Sequence, residues 1–365
     1  MPSLHRKARL RYAYASAIPI GLLAGANAYA QSNVTLYGIV DAGIVYTSKT
    51  FDSSTGATQG KQWLMRDSGM SASRFGIKGT EDLGGGMKAN FNLESGIDVA
   101  NGGLNNSNGN LFGRQAWMSV SANWGEVKAG LQYSPFFWAI VASDARNFSQ
   151  FASGLVTYAD AVLGTSIFTS NAVSYTTPTL AGFTGSALIA LGGAAGDFKA
   201  GRQYSASLTW TSGPLTIDAA YFNGNSGGTV QTPTPTTLAF VGRTAGIVYR
   251  WGELTTKASV TTFNVAGSFN ETVYSAGLDD FVLPTLNLNA GVWVTRNRDT
   301  SDDHSILGAM GAEYYLSKQT TVYSQIGVVN NHGTMHTGLS VSTSSTLYGA
   351  PGTTVGANVG LRHMF

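Results

Sequence analysis

The feature that most constrains this chain is that its apolar residues recur at every second position. No stretch after residue 30 approaches the ~20 consecutive apolar residues of a membrane helix. The last segment, Val355-Gly-Ala-Asn-Val-Gly-Leu-Arg-His-Met-Phe365, is the clearest case. Phe365, His363, Leu361, Val359, Ala357 and Val355 share one face, while Met364, Arg362, Gly360, Asn358 and Gly356 share the other. Such a strand divides an apolar medium from a wet one. The medium is either a protein core, as in a secreted all-β protein, or lipid around a wet lumen. Charged residues make up only 12% of the chain, against roughly 25% in soluble domains. That poverty of charge, with abundant Gly and aromatics, favours lipid.

The N-terminus places the chain outside the cytoplasm. His5-Arg-Lys-Ala-Arg-Leu-Arg11 is a basic n-region, Tyr12 to Gly25 is apolar, and Ala28-Tyr29-Ala30 is an A-x-A cleavage site. Residues 1–30 are therefore expected to be a cleaved signal peptide, and 31–365 the working domain. The leader holds four of the 22 Lys and Arg and no acid, so the remainder carries 18 bases against 20 acids. Basicity therefore gives no support to a nucleic-acid partner. Cysteine is absent, which excludes disulfide scaffolds, thiolate catalysis and Cys-ligated zinc.

Two kinds of connection alternate along the chain. Compact turns occur around Glu81–Gly85, Asn123–Glu126, Pro178–Gly182, Ser212–Pro214, Trp251–Glu253, Leu283–Thr285 and Leu316–Gln319. Longer polar stretches cover 48–61, 98–110, 134–170, 193–201, 224–240, 266–270, 297–303 and 330–352. Seven turns and eight loops predict sixteen strands with both termini on the turn side. The expected fold is all-β, a 16-stranded antiparallel transmembrane barrel with short periplasmic turns and long extracellular loops.

A charge on the lipid face would cost about 2–4 kcal/mol at midplane, so the charged faces are assigned to the lumen. This puts Arg74 and Lys78, then Lys88, inward on neighbouring strands, with Arg114 inward on the next, as a basic wall. Asp41 on the first strand and Arg362 on the last are also read as inward. Trp117, Trp124, Trp210, Tyr249, Trp251, Tyr314 and Tyr315 lie near strand ends, where interfacial girdles or ordinary cross-strand pairs would put aromatics. The longest connection, 134–170, holds Phe136, Phe137, Trp138, Phe148, Phe151 and Phe168, rings that are buried if it folds into the barrel. Its acids Asp144 and Asp160 would then face the basic wall, or else cap a loop helix or bind Arg146.

Taken together, several segments resemble the general porins of beta-proteobacteria, the Gram-negative trimeric porin family. They are Gln31-Ser-Asn-Val-Thr-Leu-Tyr-Gly-Ile-Val-Asp-Ala-Gly43, Ser73-Arg-Phe-Gly-Ile-Lys-Gly79 continuing to Ala89, Gly113-Arg-Gln-Ala-Trp117, Gly130-Leu-Gln-Tyr-Ser-Pro135, Asn171-Ala-Val-Ser-Tyr-Thr-Thr-Pro178 and Gly360-Leu-Arg-His-Met-Phe365. The resemblance implies a bacterial outer-membrane homotrimer, among lipids and lipopolysaccharide, with a third loop folded into the pore as a constriction. It implies passive diffusion of small hydrophilic solutes and ions. It also implies that Phe365 is an assembly signal read by the barrel-insertion machinery. Close subunit approach is expected at Gly38, Val40 and Ala42 on the first strand. The family usually has Arg where this chain has Leu131, and commonly has Arg just ahead of Asn171, where this chain reads Ile167-Phe-Thr-Ser. Both changes are expected to remove positive charge near the constriction, so only mild anion selectivity is expected.

Other chemistry finds little support. No cofactor is expected and no enzyme constellation is evident. Ser305 adjoins His304, but neighbours on a strand face opposite ways, as a lipase site could not. His332 and His336 lie in a Gly-rich loop without ligand spacing, and Asp299, Asp302 and Asp303 read as a solvated tip rather than a Ca²⁺ site. The competing reading is a surface adhesin or recognition barrel whose lumen is plugged.

Overall fold

The structure is a computed structural model that describes residues 33–161, 167–226, 234–341 and 344–365. The segment read as a leader lies outside the described residues. Among the described residues sixteen barrel strands run in chain order: β1 (Asn33–Thr47), β2 (Gln62–Asp67, resuming as Arg74–Gly84), β3 (Met87–Gly96), β4 (Gln115–Ala122), β5 (Gly125–Tyr133), β6 (Phe168–Thr176), β7 (Phe183–Ala190) and β8 (Gln203–Ser212). They continue with β9 (Leu215–Asn225), β10 (Ala239–Trp251), β11 (Leu254–Val265), β12 (Phe269–Leu283), β13 (Leu286–Asn297), β14 (His304–Tyr315), β15 (Thr320–His332) and β16 (Gly352–Met364). Each pairs antiparallel with its sequence neighbour, and β1 closes the sheet on β16 through Ile39↔Met364 and Asp41↔Arg362. Closure removes every open edge, which a sheet in hydrocarbon requires. Among the described residues no helix is long and apolar enough to cross a membrane.

The side chains follow the pleat. Val34, Leu36, Ile44, Met118, Val127, Val173, Ile189, Leu208, Ile247, Leu278, Met310, Ile326 and Val359 are exposed on the outer face. Many inward positions are polar and bond across the strands: Thr244 bonds Thr261 at 2.8 Å and Ser259 bonds Ser275 at 2.7 Å. Trp124, Trp251 and Tyr314 are exposed on the outside near the turns, as girdle residues would be. Two aromatics depart from that expectation. Trp117 turns inward, its indole donating to Gln115 at 2.9 Å with Lys128 Nζ 4.3 Å from the ring centroid. Tyr315 also turns inward and donates to Glu313.

Phe365 exchanges backbone bonds with Gly38 at 3.0 and 3.1 Å. Its ring occupies the space of a Gly38 side chain; a Cβ there would fall 2.4 Å from Phe365 Cζ. Gly38 thus makes room for the terminal ring across the β1–β16 seam.

The inner wall has two characters, and this difference positions the pore. On β9 to β15 the inward residues include Phe222, Phe240, Phe263, Val265, Val273, Trp293, Leu307 and Val329. The connection after β5 folds into the barrel and lies against this apolar half. It forms α1 (Pro135–Ser143) and α2 (Gly154–Ala161). Ser134 caps α1 by accepting from Phe137 N at 3.1 Å, and Pro135 follows at the first helical position. Phe136 is fully buried against Tyr158, Phe222 and Phe263. Gly242 on β10 allows this seating, since a Cβ there would lie 2.3 Å from Phe136 Cζ. A second inward excursion interrupts β2. Ser68 takes a φ of 61°, and residues 68–73 bend into the lumen until the Met70 carbonyl accepts from Gln150 N in the folded loop.

Candidate functional site

The folded loop covers one side of the lumen and leaves a passage on the other. One space of about 430 Å³ is lined by Tyr37, Arg74, Lys78, Glu94, Arg114, Tyr133 and, from the loop, Phe137, Trp138 and Phe148. A second, of about 160 Å³, is lined by Arg146, Asp279, Asn287, Glu313, Tyr315 and Arg362. Met70, Ser71 and Asn147 border both, so the two spaces adjoin.

The larger space is organised around Glu94. Arg114 Nε lies 2.8 Å from Glu94 Oε1, and Arg74 Nε lies 3.6 Å from Oε2. Tyr37 donates to Glu94 and to Asn92 at 2.9 and 2.8 Å, and Arg114 also donates to the Tyr133 hydroxyl at 2.7 Å. Glu94 and Arg114 are buried, whereas the Arg74 side chain remains 28% exposed. Two guanidiniums on one carboxylate leave positive charge beside the passage. Lys78 adds to it, exposed and 5.1 Å from the Tyr37 ring centroid.

The smaller space carries the carboxylates. Glu313 Oε2 lies 3.5 Å from Arg362 Nη2, and Asp279 accepts from Asn147 and Asn287 at 2.9 and 3.0 Å. Lys257 Nζ donates to Asn147 Oδ1 at 2.7 Å, so this loop asparagine joins a lysine on β11 to an aspartate on β12. Arg146 is buried and held by neutral oxygens: Asn289 and Gln325 side chains and the carbonyls of Phe151 and Ala152. Burial pushes its pKa down to about 10, which leaves it cationic at neutral pH. Across both spaces the bases, Arg74, Lys78, Arg114, Arg146 and Arg362, outnumber the carboxylates Glu94, Asp279 and Glu313.

The residues expected from sequence divide three ways. Arg74, Lys78, Arg114 and Arg362 line the passage. Arg114 does so for another reason than strand parity. The inward face of β4 is Gln115, Trp117 and Ser119, and Arg114 reaches the lumen from the end of the preceding loop. Lys88 shares the inward parity but pairs with Asp82 beside the Gly84–Gly86 turn, at the lumen mouth and away from the narrowing.

Asp41 and Asp144 are scaffolding, not pore charges. Asp41 is fully buried, accepts from the Gly69, Met70 and Ser71 amides and from Tyr323, and so holds the inward bend of β2. Asp144 accepts from the amides of Arg146, Phe148 and Gly154 and from Trp293 Nε1, which fixes the loop after α1. The Asp160 side chain lies outside the described residues. Leu131 pairs with Ala116, on the outer face with Met118 and Val127, so its register does not make it a missing lumen charge.

The sequence does not single out Glu94, which lies near the loop end of its strand, as a constriction residue. Nor does it single out Asp279 and Glu313, although their β-strand parity is readable.

Comparison with known proteins identifies the family. A model of the Gram-negative porins matches residues 15–334. The chain belongs to the Gram-negative porin family. It is 29% identical to outer membrane porin protein 32 of Delftia acidovorans, over 96% of this chain and 99% of that one. It is 37% identical to an outer membrane porin of Bordetella pertussis over 44% of each chain. The solved anion-selective porin from Comamonas acidovorans superposes with a TM-score of 0.77 at 25% identity, covering 92% of this chain and all of that one. The porin is an outer-membrane channel, not an enzyme.

Proposed function

We propose that this porin passes small hydrophilic solutes and ions by passive diffusion between its folded loop and the β1–β5 wall, with mild preference for anions. The observation that carries this reading is the excess of base over carboxylate along the passage. Anion selectivity in the Comamonas relative accords with it. The preference is mild because the carboxylates that line the two spaces, Glu94, Asp279 and Glu313, each neutralise a nearby base or accept from side-chain amides. It should fade with salt, since the Debye length is about 8 Å at physiological ionic strength and shorter above it. Arg74 is the most accessible of the paired bases. Arg74→Ser is expected to move the reversal potential in a salt gradient toward cations with little loss of stability. An unchanged potential would remove Arg74 from the selective region.

The mature protein is proposed to begin at Gln31 and to assemble as a homotrimer among outer-membrane lipids and lipopolysaccharide. Cross-linking and unheated detergent gels test the trimer, and a monomer in both would oppose it. Phe365 is proposed to act as the signal for the insertion machinery as well as the seal over Gly38. Deleting it should lower outer-membrane yield far more than it alters the conductance of channels that do insert. Equal yield would leave it a girdle residue only.

A further inference from the structure

Four histidines follow the leader segment: His304, His332, His336 and His363. Two of them meet. His304 on β14 is the register partner of His332 on β15, and their rings lie face to face, centroids 4.3 Å apart and 9° from parallel. Both lie on the outer face at the loop end, since Ser305 and Asn331 beside them are buried on the inner face. His304 Nδ1 is 3.1 Å from the Asp302 carbonyl. A carbonyl can only accept, so Nδ1 carries the hydrogen and the lone pair of the neutral ring is on Nε2. Ligating histidines are commonly oriented in this way. The other two are placed differently: His336 stacks on Phe51 with Nδ1 2.9 Å from the Gly349 carbonyl, and His363 Nδ1 is 2.9 Å from the Thr320 hydroxyl.

We propose that His304 and His332 form a two-imidazole site for a borderline divalent transition metal, Cu²⁺, Ni²⁺ or Zn²⁺, on the extracellular rim of the barrel. Metal–nitrogen bonds of about 2.0–2.1 Å bridge nitrogens about 3–4 Å apart; the two rings, with centroids 4.3 Å apart and planes 9° from parallel, reach that span when they turn about their side-chain bonds until the Nε2 lone pairs converge. Water completes the coordination. Hard cations do not fit, because they require oxygen donors. The register neighbour on the far side of His304 is the exposed Arg296, and Asp303 is engaged by the Thr334 amide and hydroxyl. A bound ion would clip β14 to β15 at the root of the connection 333–351. That connection meets the pore loop where the Leu339 carbonyl accepts from Ala152 N.

The test uses the full mature barrel refolded in detergent without a histidine tag, titrated with Cu²⁺ and read by electron paramagnetic resonance. The expected result is one Cu²⁺ per chain with nitrogen hyperfine structure. Outer partners of ligating histidines are worth 10–100-fold in affinity, so losing a direct ligand should weaken binding by at least about tenfold. His304→Gln and His332→Gln should each do so, while His336→Gln and His363→Gln should leave affinity unchanged. Heat-modifiable migration on gels confirms that each variant is folded; His332 is exposed, so H332Q is the variant that best preserves the barrel. Absence of stoichiometric Cu²⁺ in the wild type, or unchanged affinity in H332Q, overturns the proposal.

Discussion

Glu94→Gln is expected to destabilise the barrel by about 3–5 kcal/mol, the range for removing one partner of a buried ion pair, and to shift the reversal potential toward anions. Arg114 would remain buried beside Glu94's position, keeping Tyr133 and the Asn106 carbonyl as partners but losing its carboxylate at 2.8 Å. Arg74 would lose its carboxylate partner, at 3.6 Å. The amide retains the shape of the acid and can still accept from Tyr37, so the effect isolates charge from volume. The two readouts separate the roles. Unfolding in denaturant reports the stranded guanidinium, and the reversal potential reports the added positive charge. A stability change under about 1 kcal/mol would mean that water already solvates Arg114, contrary to its burial.

Phe136→Ala is expected to loosen the pore loop, with a cost of about 3–5 kcal/mol for truncating a buried Phe. Its ring joins α1 to Tyr158 in α2 and to Phe222 and Phe263 on the wall. Because sixteen paired strands hold the barrel independently of this contact, the loss should fall mainly on the loop. Single-channel conductance should rise and become noisier, while heat-modifiable migration of the barrel stays normal. Gly242→Val attacks the same contact from the wall, since the new side chain would meet the Phe136 ring. Both variants should resemble each other in conductance. Wild-type conductance in both would mean that the polar anchors, Asp144 to Trp293 and Arg146 to Asn289 and Gln325, hold the loop without the aromatic cluster.

The barrel was legible because its signal is local. Turn chemistry and period-two alternation sit within a few residues of each other, and lipid penalises any strand that presents the wrong face. The inward fold of the loop was legible from its rings. The wall that receives it was less so: Phe222, Phe240 and Phe263 occupy positions whose parity marks them as wet, and their partners lie in a loop distant in sequence. The roles of Asp41 and Asp144 were not legible. A carboxylate that accepts several backbone amides looks in sequence the same as one facing a pore, and only the inward bend at 68–73 and the chain after α1 distinguish them. Arg114 reached the lumen although the strand after it has the opposite parity, because loop residues do not obey the pleat.

The central claim is an open passage whose wall carries more base than carboxylate. The most direct measurement is the zero-current potential of the wild-type channel in a planar bilayer across a KCl gradient. The account predicts stepwise conductance and a potential of the sign set by chloride, shrinking as the salt on both sides is raised. A folded, heat-modifiable protein that leaves the bilayer silent, or a potential of the sign set by potassium, would contradict it.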